Sequence, residues 1–243
     1  MKNKRIIDTL ILIFIFLLLV AFPLDRFISD PLLLKGLEII LRVIGIIVVS
    51  TVLSQSKTIL NNKDNITIKP ILVLAPTFII CFTNLIYLAV EHIDFNIAVN
   101  KTFFLDVLFH LTTAILEELI FRKVLFDNIE IKHPLKKIVL LSLIFSGCHL
   151  INFLSTLDPS HLLEVAYTFG TGIVMGFLYY YSHSIGITIL FHFLYNLMNS
   201  VIFGFANISS FTYVYYIVCA IITVIVTINI LLFYKNKASK KPC

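Results

Sequence analysis

Residues 103–126, FFLDVLFHLTTAILEELIFRKVLF, form an apolar stretch that contains two adjacent glutamates. A helix needs about 20 mainly apolar residues to cross a membrane, and this stretch is long enough. A carboxylate at that depth is costly, so Glu117 and Glu118 must face the protein interior and have a partner or a task there. Arg122 follows Glu118 by four residues, a spacing at which helical side chains meet. The stretch therefore predicts a membrane helix that carries a buried polar site.

The composition of the chain is that of a membrane protein. Of its 243 residues, 59% are hydrophobic and 14% are charged, whereas a soluble domain carries about a quarter charged residues. We expect an all-α, polytopic transmembrane helix bundle, with residues 1–243 forming a single integral membrane domain. The net charge of +5 is explained by membrane topology, so the expected partner is the lipid bilayer and no nucleic acid.

Eight segments are apolar and long enough to be candidate spans. The first follows a basic N-terminus without a small-residue cleavage site, and we interpret it as a retained span. The connections near residues 157, 184 and 209 are very short, which predicts antiparallel neighbours. The candidate spans lie near residues 6–24, 32–54, 71–91, 103–126, 138–155, 161–182, 185–205 and 211–234.

The distribution of basic residues predicts the orientation of the spans. With a cytoplasmic N-terminus, fourteen lysines and arginines fall on the inner side and three on the outer side. Cytoplasmic loops carry this excess in membrane proteins, so both termini are expected in the cytoplasm. The inner set is Lys2, Lys4, Arg5, Lys57, Lys63, Lys69, Lys123, Lys132, Lys136, Lys137, Lys235, Lys237, Lys240 and Lys241, and the outer set is Arg26, Lys35 and Lys101.

Four costly polar residues on three spans share one depth. Counted from the inner ends of their spans, Glu117 lies about 14 Å deep and His149 about 16 Å deep. His192 lies about 10 Å deep and Asn196 about 16 Å deep on the same scale. Isolated structural residues have no reason to coincide in depth, whereas a shared site requires it. We therefore expect one site between the inner surface and the midplane.

Helical spacing assigns different surroundings to the two glutamates. Glu118 can pair with Arg122, while Glu117 points about 100° away and is free to face a cavity. Glu117 also ends a polar stripe at helical spacing, which could line a water path or face the outer surface. The stripe consists of Asp106, His110, Thr113 and Glu117.

Other polar and small residues receive structural interpretations. Glu38 and Arg42 lie four apart and are expected to form an ion pair along the second span. Gly172 and Gly176 allow close helix approach. Asn152, Asn199, His161 and Glu164 are expected to bond helices together.

The site residues contain the groups needed to hydrolyse a peptide bond. A buried glutamate beside a histidine can activate water as a general base. A second histidine and an asparagine amide can donate hydrogen bonds to a developing oxyanion. The same residues are also compatible with a metal-dependent mechanism, because His149, His192 and Glu117 are a possible three-ligand zinc set. No HExxH helix is present to support zinc.

Three motifs, each in a separate predicted span, resemble those of a known family. EELIFR (Glu117 to Arg122) fits EExxxR, FSGCH (Phe145 to His149) fits FxxxH, and HFLYN (His192 to Asn196) fits HxxxN. In this order they resemble the CPBP family of intramembrane endopeptidases, also called the Abi or CAAX-protease and bacteriocin-processing family. The resemblance covers about residues 103–205, which would be the catalytic core.

The resemblance implies an intramembrane protease that acts on a membrane-bound peptide or protein near the cytoplasmic leaflet. Glu117 with His149 would activate water, and His192 with Asn196 would hold the oxyanion. Glu118, Arg122 and Phe145 would support the site. The family has been described as glutamate-dependent and as metal-dependent. We favour the glutamate mechanism, which requires no cofactor, with zinc as the alternative.

Two other functions use the same kinds of residue. A proton-coupled transporter would also need intramembrane Glu and His, but it predicts paired broken helices and often an inverted repeat, which are absent from the sequence pattern. A non-catalytic bacteriocin-immunity or scaffold protein would keep the fold, and the intact motif set argues against lost activity. The Ile-, Asn- and Lys-rich composition is typical of an AT-rich bacterial genome, and together with the candidate spans it predicts a multi-pass protein of a bacterial cell membrane.

Overall fold

The computed structural model describes residues 24–55, 75–90 and 99–201, together with residues 221, 222, 225, 228, 229 and 232. The described ranges are helical and contain no strand, which confirms the all-α fold class. Short 3-10 helices cover Leu24–Arg26 and Ala75–Phe82. The α-helices are α1 (Pro31–Gln55), α2 (Thr83–Val90), α3 (Lys101–Glu118), α4 (Pro134–Cys148), α5 (Leu150–Thr156), α6 (Ser160–Ser182) and α7 (Ile185–Asn196).

Two helical stretches are long and apolar enough to cross a membrane, Pro134–Ser155 and His161–Ser182. Ile185–Val201 is a shorter apolar helix. The predicted total of eight spans and the orientation of the termini stay predictions. The candidate near 6–24 lies outside the described residues, and so does nearly all of the candidate near 211–234. Large apolar side chains face outward, as lipid-facing surfaces require, including Ile40, Ile47, Leu143, Leu154 and Leu190.

Local signals in the sequence explain where the helices begin and turn. Asn100 caps α3, because its side chain accepts a hydrogen bond from the Phe103 backbone N–H at 3.0 Å. Pro134 begins α4, where its missing N–H costs nothing. Leu157 and His183 end α5 and α6 in the left-handed region, with φ of 58° and 52°. After these tight turns α4 and α5 pack against α6, and α6 packs against α7, so the helices are neighbours as predicted. The predicted connection near residue 209 lies outside the described residues.

Small residues bring α6 close to α4. A Cβ atom at Gly176 would lie 2.8 Å from Ile138 Cγ2, and one at Gly172 would lie 3.2 Å from Ser142 Cβ. Both distances are shorter than ordinary van der Waals contact, so the interface requires glycine at these positions. The predicted packing role of the two glycines is confirmed.

The regular helical pattern breaks next to the polar motifs. α3 continues as a π-helix over Leu119–Phe126, and α7 continues as a π-helix over Leu197–Val201. These segments begin directly after Glu118 and Asn196. The predicted fifth span is divided at His149, which lies between α4 and α5 with φ −75° and ψ −12°. π-Helical turns occur frequently at functional sites, and here they directly follow two of the motif residues, Glu118 and Asn196.

Candidate active site

A cavity of about 360 Å³ lies among α1, α3, α4, α5, α6 and α7. We call it the site cavity. All four predicted catalytic residues line it: Glu117, His149, His192 and Asn196. Residues far apart in the sequence thus meet at one place, as their common depth predicts.

Glu118 is the buried centre of the polar cluster. Its side chain is 0% exposed, and its Oε2 lies 3.2 Å from Arg122 Nε in an ion pair. Its Oε1 lies 2.9 Å from His192 Nδ1, so the carboxylate joins α3 to α7. Arg122 is held further by a hydrogen bond that Nη2 donates to the Gly172 carbonyl at 3.3 Å. The predicted Glu118–Arg122 pair is confirmed, whereas the His192 contact was not predicted.

Glu117 lies on the wall of the cavity and is 7% exposed. Its Oε2 lies 3.6 Å from His192 Nε2, which is too long for a direct hydrogen bond. His192 therefore stands between the two glutamates, bonded to Glu118 and adjacent to Glu117. The predicted division between a paired and a cavity-facing glutamate agrees with this geometry.

His149 is fixed by its own helix. Its Nδ1 lies 3.0 Å from the Phe145 carbonyl oxygen, and this contact assigns the N–H to Nδ1 because a carbonyl can only accept. The other nitrogen, Nε2, then carries a lone pair. The Phe145 ring packs 5.0 Å from the His149 ring and 6.1 Å from the His192 ring, between centroids. Phe145 thus packs against both imidazoles, and its supporting role stays a prediction.

Asn196 ends α7 one turn beyond His192 and lines the same cavity. Among the residues that the structure describes, its side-chain amide has no hydrogen-bond partner. Asn199, one turn further from His192 than Asn196 is, instead donates to the Cys81 carbonyl at 3.0 Å. The two asparagines on neighbouring turns therefore have different surroundings, one open to the cavity and one bonding helices together.

The polar stripe on α3 divides in a similar way. His110, Thr113 and Glu117 line the cavity, whereas Asp106 pairs with Lys35 at 3.1 Å. Three of the four stripe residues thus form one wall that leads to Glu117. A water path along this wall stays a prediction.

Asn152, His161 and Glu164, which were predicted to bond helices together, contact one another. The Asn152 amide donates to both carboxylate oxygens of Glu164, at 3.2 and 3.3 Å. His161 Nδ1 lies 2.9 Å from Glu164 Oε2. The contact between Asn152 and Glu164 joins α5 to α6, as predicted. The contact between His161 and Glu164 lies within α6, so a helix-bonding role of His161 stays a prediction.

Arg42 lines the cavity, whereas the sequence analysis assigned it to a structural ion pair with Glu38. The prediction paired its guanidinium with the Glu38 carboxylate, and this is wrong. Nη1 donates to the Glu38 backbone carbonyl at 2.9 Å, and Nε donates to Thr113 Oγ1 at 2.8 Å. The Glu38 carboxylate lies 3.6 Å from Lys35 instead. The position of Arg42 eleven residues into an apolar stretch, as deep as the acidic residues, was the available signal for a role in the site.

The cluster contains two acidic and two basic side chains, Glu117, Glu118, Arg42 and Arg122. Both arginines are close enough to attract the Glu117 carboxylate electrostatically. Buried charged groups persist in proteins when they are paired in this way.

The predicted alternative zinc set is Glu117, His149 and His192, which line one cavity. In the described ranges, no three histidine, cysteine, aspartate or glutamate side chains are arranged to hold a metal ion. The zinc alternative stays a prediction, which chelation tests.

The described helices form a bundle with a buried glutamate–histidine site, and two of the helical stretches are long and apolar enough to cross a membrane. A protein-family model described as Rce1-like, type II CAAX prenyl endopeptidase Rce1-like, matches residues 99–198. The matched segment contains all three motifs, and the match confirms its resemblance to the CPBP family of CAAX proteases. Searches of curated proteins and of solved structures gave no match. Arg42 lies outside the matched segment.

Proposed function

We propose that the protein is an intramembrane endopeptidase that hydrolyses a peptide bond in a membrane-associated peptide or protein. The observation that carries the proposal is the meeting of Glu117, His149, His192 and Asn196 at one cavity within the segment that matches a protease family. A cavity of about 360 Å³ is within the usual range for small-ligand sites, which suits a short peptide segment.

Glu117 is the proposed general base. Its carboxylate faces the cavity, and its neighbour Glu118 is already occupied by Arg122 and His192. His149 directs its lone-pair nitrogen away from the Phe145 carbonyl and can accept the second hydrogen of the same water. A water held by both groups is oriented for attack on a carbonyl carbon.

His192 and Asn196 are the proposed donors to the oxyanion. With Nδ1–H bonded to Glu118, a protonated His192 carries a second N–H on Nε2, beside Glu117. The Asn196 amide lies on the same face one turn away. Preorganised donors of this type stabilise a tetrahedral intermediate by about 3–4 kcal/mol each.

The proposed reaction moves one proton through Glu117. Glu117 takes a proton from water as the water oxygen bonds to the peptide carbonyl carbon, which forms the oxyanion. The carbon–nitrogen bond then breaks, and Glu117 returns the proton to the leaving amine. The products are a carboxylic acid and an amine, with the enzyme unchanged.

A comparison of membrane peptidomes tests the activity and identifies the substrate together. Cells with the wild type, with Glu117→Gln and with Glu130→Gln would be compared. Glu130 is an exposed carboxylate outside the cavity, so its variant is a matched control. We expect a peptide product in wild-type and Glu130→Gln membranes that is absent with Glu117→Gln. Equal product with all three proteins would remove the proposal.

The two other function classes give different results in related experiments. A proton transporter would show proton flux in liposomes that disappears with Glu117→Gln. A non-catalytic immunity or scaffold protein would keep its biological effect when Glu117, His149 and His192 are all replaced. For an endopeptidase we expect no flux, and we expect the effect to disappear together with the cleavage.

A further inference from the structure

Arg42 is a buried cation that has no carboxylate partner among the described residues. It is 6% exposed, whereas Val43, the next residue on α1, is 40% exposed. Glu38 accepts from Arg42 only through its backbone carbonyl, because the Glu38 carboxylate pairs with Lys35. Glu117 attracts the guanidinium electrostatically from beyond ion-pair distance. Since a buried charge is costly without a counter-ion in contact with it, the position favours binding of an anion.

Arg122, the other arginine of the cluster, shows the difference. Its Nε lies 3.2 Å from Glu118 Oε2, so a carboxylate of the protein already occupies this guanidinium. Arg42 Nε instead donates to Thr113 Oγ1, and Arg42 Nη1 donates to a backbone carbonyl. Both of these acceptors are neutral. The two bonds of Arg42 therefore fix the position of its guanidinium without neutralising its charge.

The guanidinium of Arg42 has N–H donors left for a ligand. An arginine has five such donors, and the bonds to Thr113 and to the Glu38 carbonyl use two of them. Nη2 has no hydrogen-bond partner in the part of the chain that the structure describes. The centre of the Phe109 ring lies 3.9 Å from Arg42 Cζ, which holds the group in place. Because Arg42 lines the site cavity, a carboxylate in the cavity can accept from Nη1 and Nη2 together, the two-bond geometry that arginine forms with carboxylates.

We propose that Arg42 binds a carboxylate of the substrate and thereby selects peptides that are acidic beside the bond to be cut. Thr113, which anchors Arg42, lies one helical turn before Glu117, a separation of about 6 Å along α3. An extended peptide covers about 3.3 Å per residue, so the carboxylate belongs to a residue about two positions from the scissile bond. Its source is an acidic side chain or a free C-terminus. That the peptide is cleaved rests on the proposed function, whereas binding of a carboxylate at Arg42 does not.

Binding of short peptides to the full-length protein in lipid nanodiscs tests the inference. Two pairs of N-acetylated tripeptides serve as probes, and the members of each pair differ only in one carboxylate. The first pair is Leu-Asp-Leu amide and Leu-Asn-Leu amide. The second pair is Leu-Leu-Leu with a free C-terminus and its C-terminal amide. Dissociation constants are measured by titration calorimetry at neutral pH, with empty nanodiscs as the blank for partition into lipid.

We expect the acidic member of at least one pair to bind the wild type about tenfold or more tightly than its neutral twin. A preference within the first pair identifies a side chain as the source of the carboxylate, and one within the second pair identifies a free C-terminus. Arg42→Gln should remove the preference. Arg42→Lys keeps a positive charge without the planar fork and should retain part of it. The ratio between twins is unaffected by any loss of binding that both twins share.

Lys35→Gln is the matched control. Lys35 Nζ also lies over the Phe109 ring, 4.1 Å from its centre, but Lys35 does not line the cavity. We expect Lys35→Gln to keep the preference of the wild type. Thermal unfolding of each variant in the same nanodiscs shows whether it is folded. If Arg42→Gln does not fold, the wild-type twins and Arg42→Lys decide the matter.

Several results would overturn the inference. These are equal binding of the twins in both pairs, failure of both acidic probes to bind at millimolar concentration, and a preference that survives in folded Arg42→Gln. An equal loss of preference in Lys35→Gln would show a general attraction by positive charge in place of a subsite. If the acidic probe binds through Arg42 but no peptide differs between wild-type and Glu117→Gln membranes, the carboxylate subsite stands and the proposed function fails.

Discussion

His192 Nδ1 lies 2.9 Å from Glu118 Oε1, and this contact joins α7 to α3. The two residues are 74 positions apart in the chain. The carboxylate of Glu118 can only accept while it is ionised, so the proton of this bond belongs to His192. His192 thereby has a fixed ring orientation, with its other nitrogen beside Glu117. In the proposed mechanism Glu118 positions the site, while Glu117 takes part in the reaction.

Glu118→Gln should destabilise the fold, because Arg122 would keep a buried charge without its ion-pair partner. Breaking a buried pair from one side costs about 3–5 kcal/mol. We expect a lower unfolding temperature in detergent and loss of cleavage. Glu117→Gln should leave the unfolding temperature nearly unchanged while it abolishes cleavage. Equal thermal stability of the two variants would contradict the distinct roles of the glutamates.

Arg42→Gln should weaken catalysis without unfolding the protein. The guanidinium lies at the cavity, is fixed by Thr113 and attracts Glu117, so its loss leaves the base with one nearby cation fewer. We expect kcat/KM to fall about tenfold or more, which corresponds to about 1.4 kcal/mol. Thr113→Val removes one hydrogen bond to Arg42 and should give a smaller loss in the same direction. Full activity of Arg42→Gln would show that Arg42 is structural only.

Gly176→Ala should disrupt the interface between α6 and α4. The new Cβ would lie 2.8 Å from Ile138 Cγ2, so one of the helices must shift. Overpacking of this kind costs about 1–3 kcal/mol. Ile138→Ala in the same chain removes the clashing atom, and the double variant should recover part of the lost stability. Gly36→Ala is the matched control, because a Cβ there meets nothing within 4 Å.

Chelation should leave the cleavage rate unchanged, because the side chains in the described ranges are not arranged for a three-ligand metal site. Purified protein would be treated with a strong zinc chelator, and its zinc content and cleavage rate measured. Loss of cleavage on chelation, with recovery on adding zinc, would replace the glutamate mechanism by a metal mechanism.

Much of the site could be predicted from sequence because the bilayer makes polar residues informative. Glu117, His149, His192 and Asn196 stand out in apolar stretches, and counting from the span ends gives their depth. The i,i+4 spacing also gives the Glu118–Arg122 pair. These inferences need only helix geometry and the cost of burying polar groups in lipid.

Contacts between helices could not be read in the same way, because depth does not fix the rotation of one helix relative to another. The hydrogen bond from His192 to Glu118 depends on how α7 faces α3. The π-helical turns after Glu118 and Asn196 also change the angular spacing of the residues that follow. Arg42 was assigned to Glu38 by local spacing, while its Thr113 partner lies 71 residues away.

The most direct test of the proposed mechanism uses purified protein in lipid nanodiscs. Its substrate is the peptide that the membrane-peptidome comparison identifies, and its cleavage is measured. The wild type, Glu117→Gln and Glu130→Gln would be compared, with thermal unfolding measured in parallel to confirm that each is folded. We predict that Glu117→Gln loses about a hundredfold or more in rate, as removal of a general base does, and that Glu130→Gln matches the wild type. Cleavage by folded Glu117→Gln at the wild-type rate would contradict the assignment of Glu117 as the catalytic base.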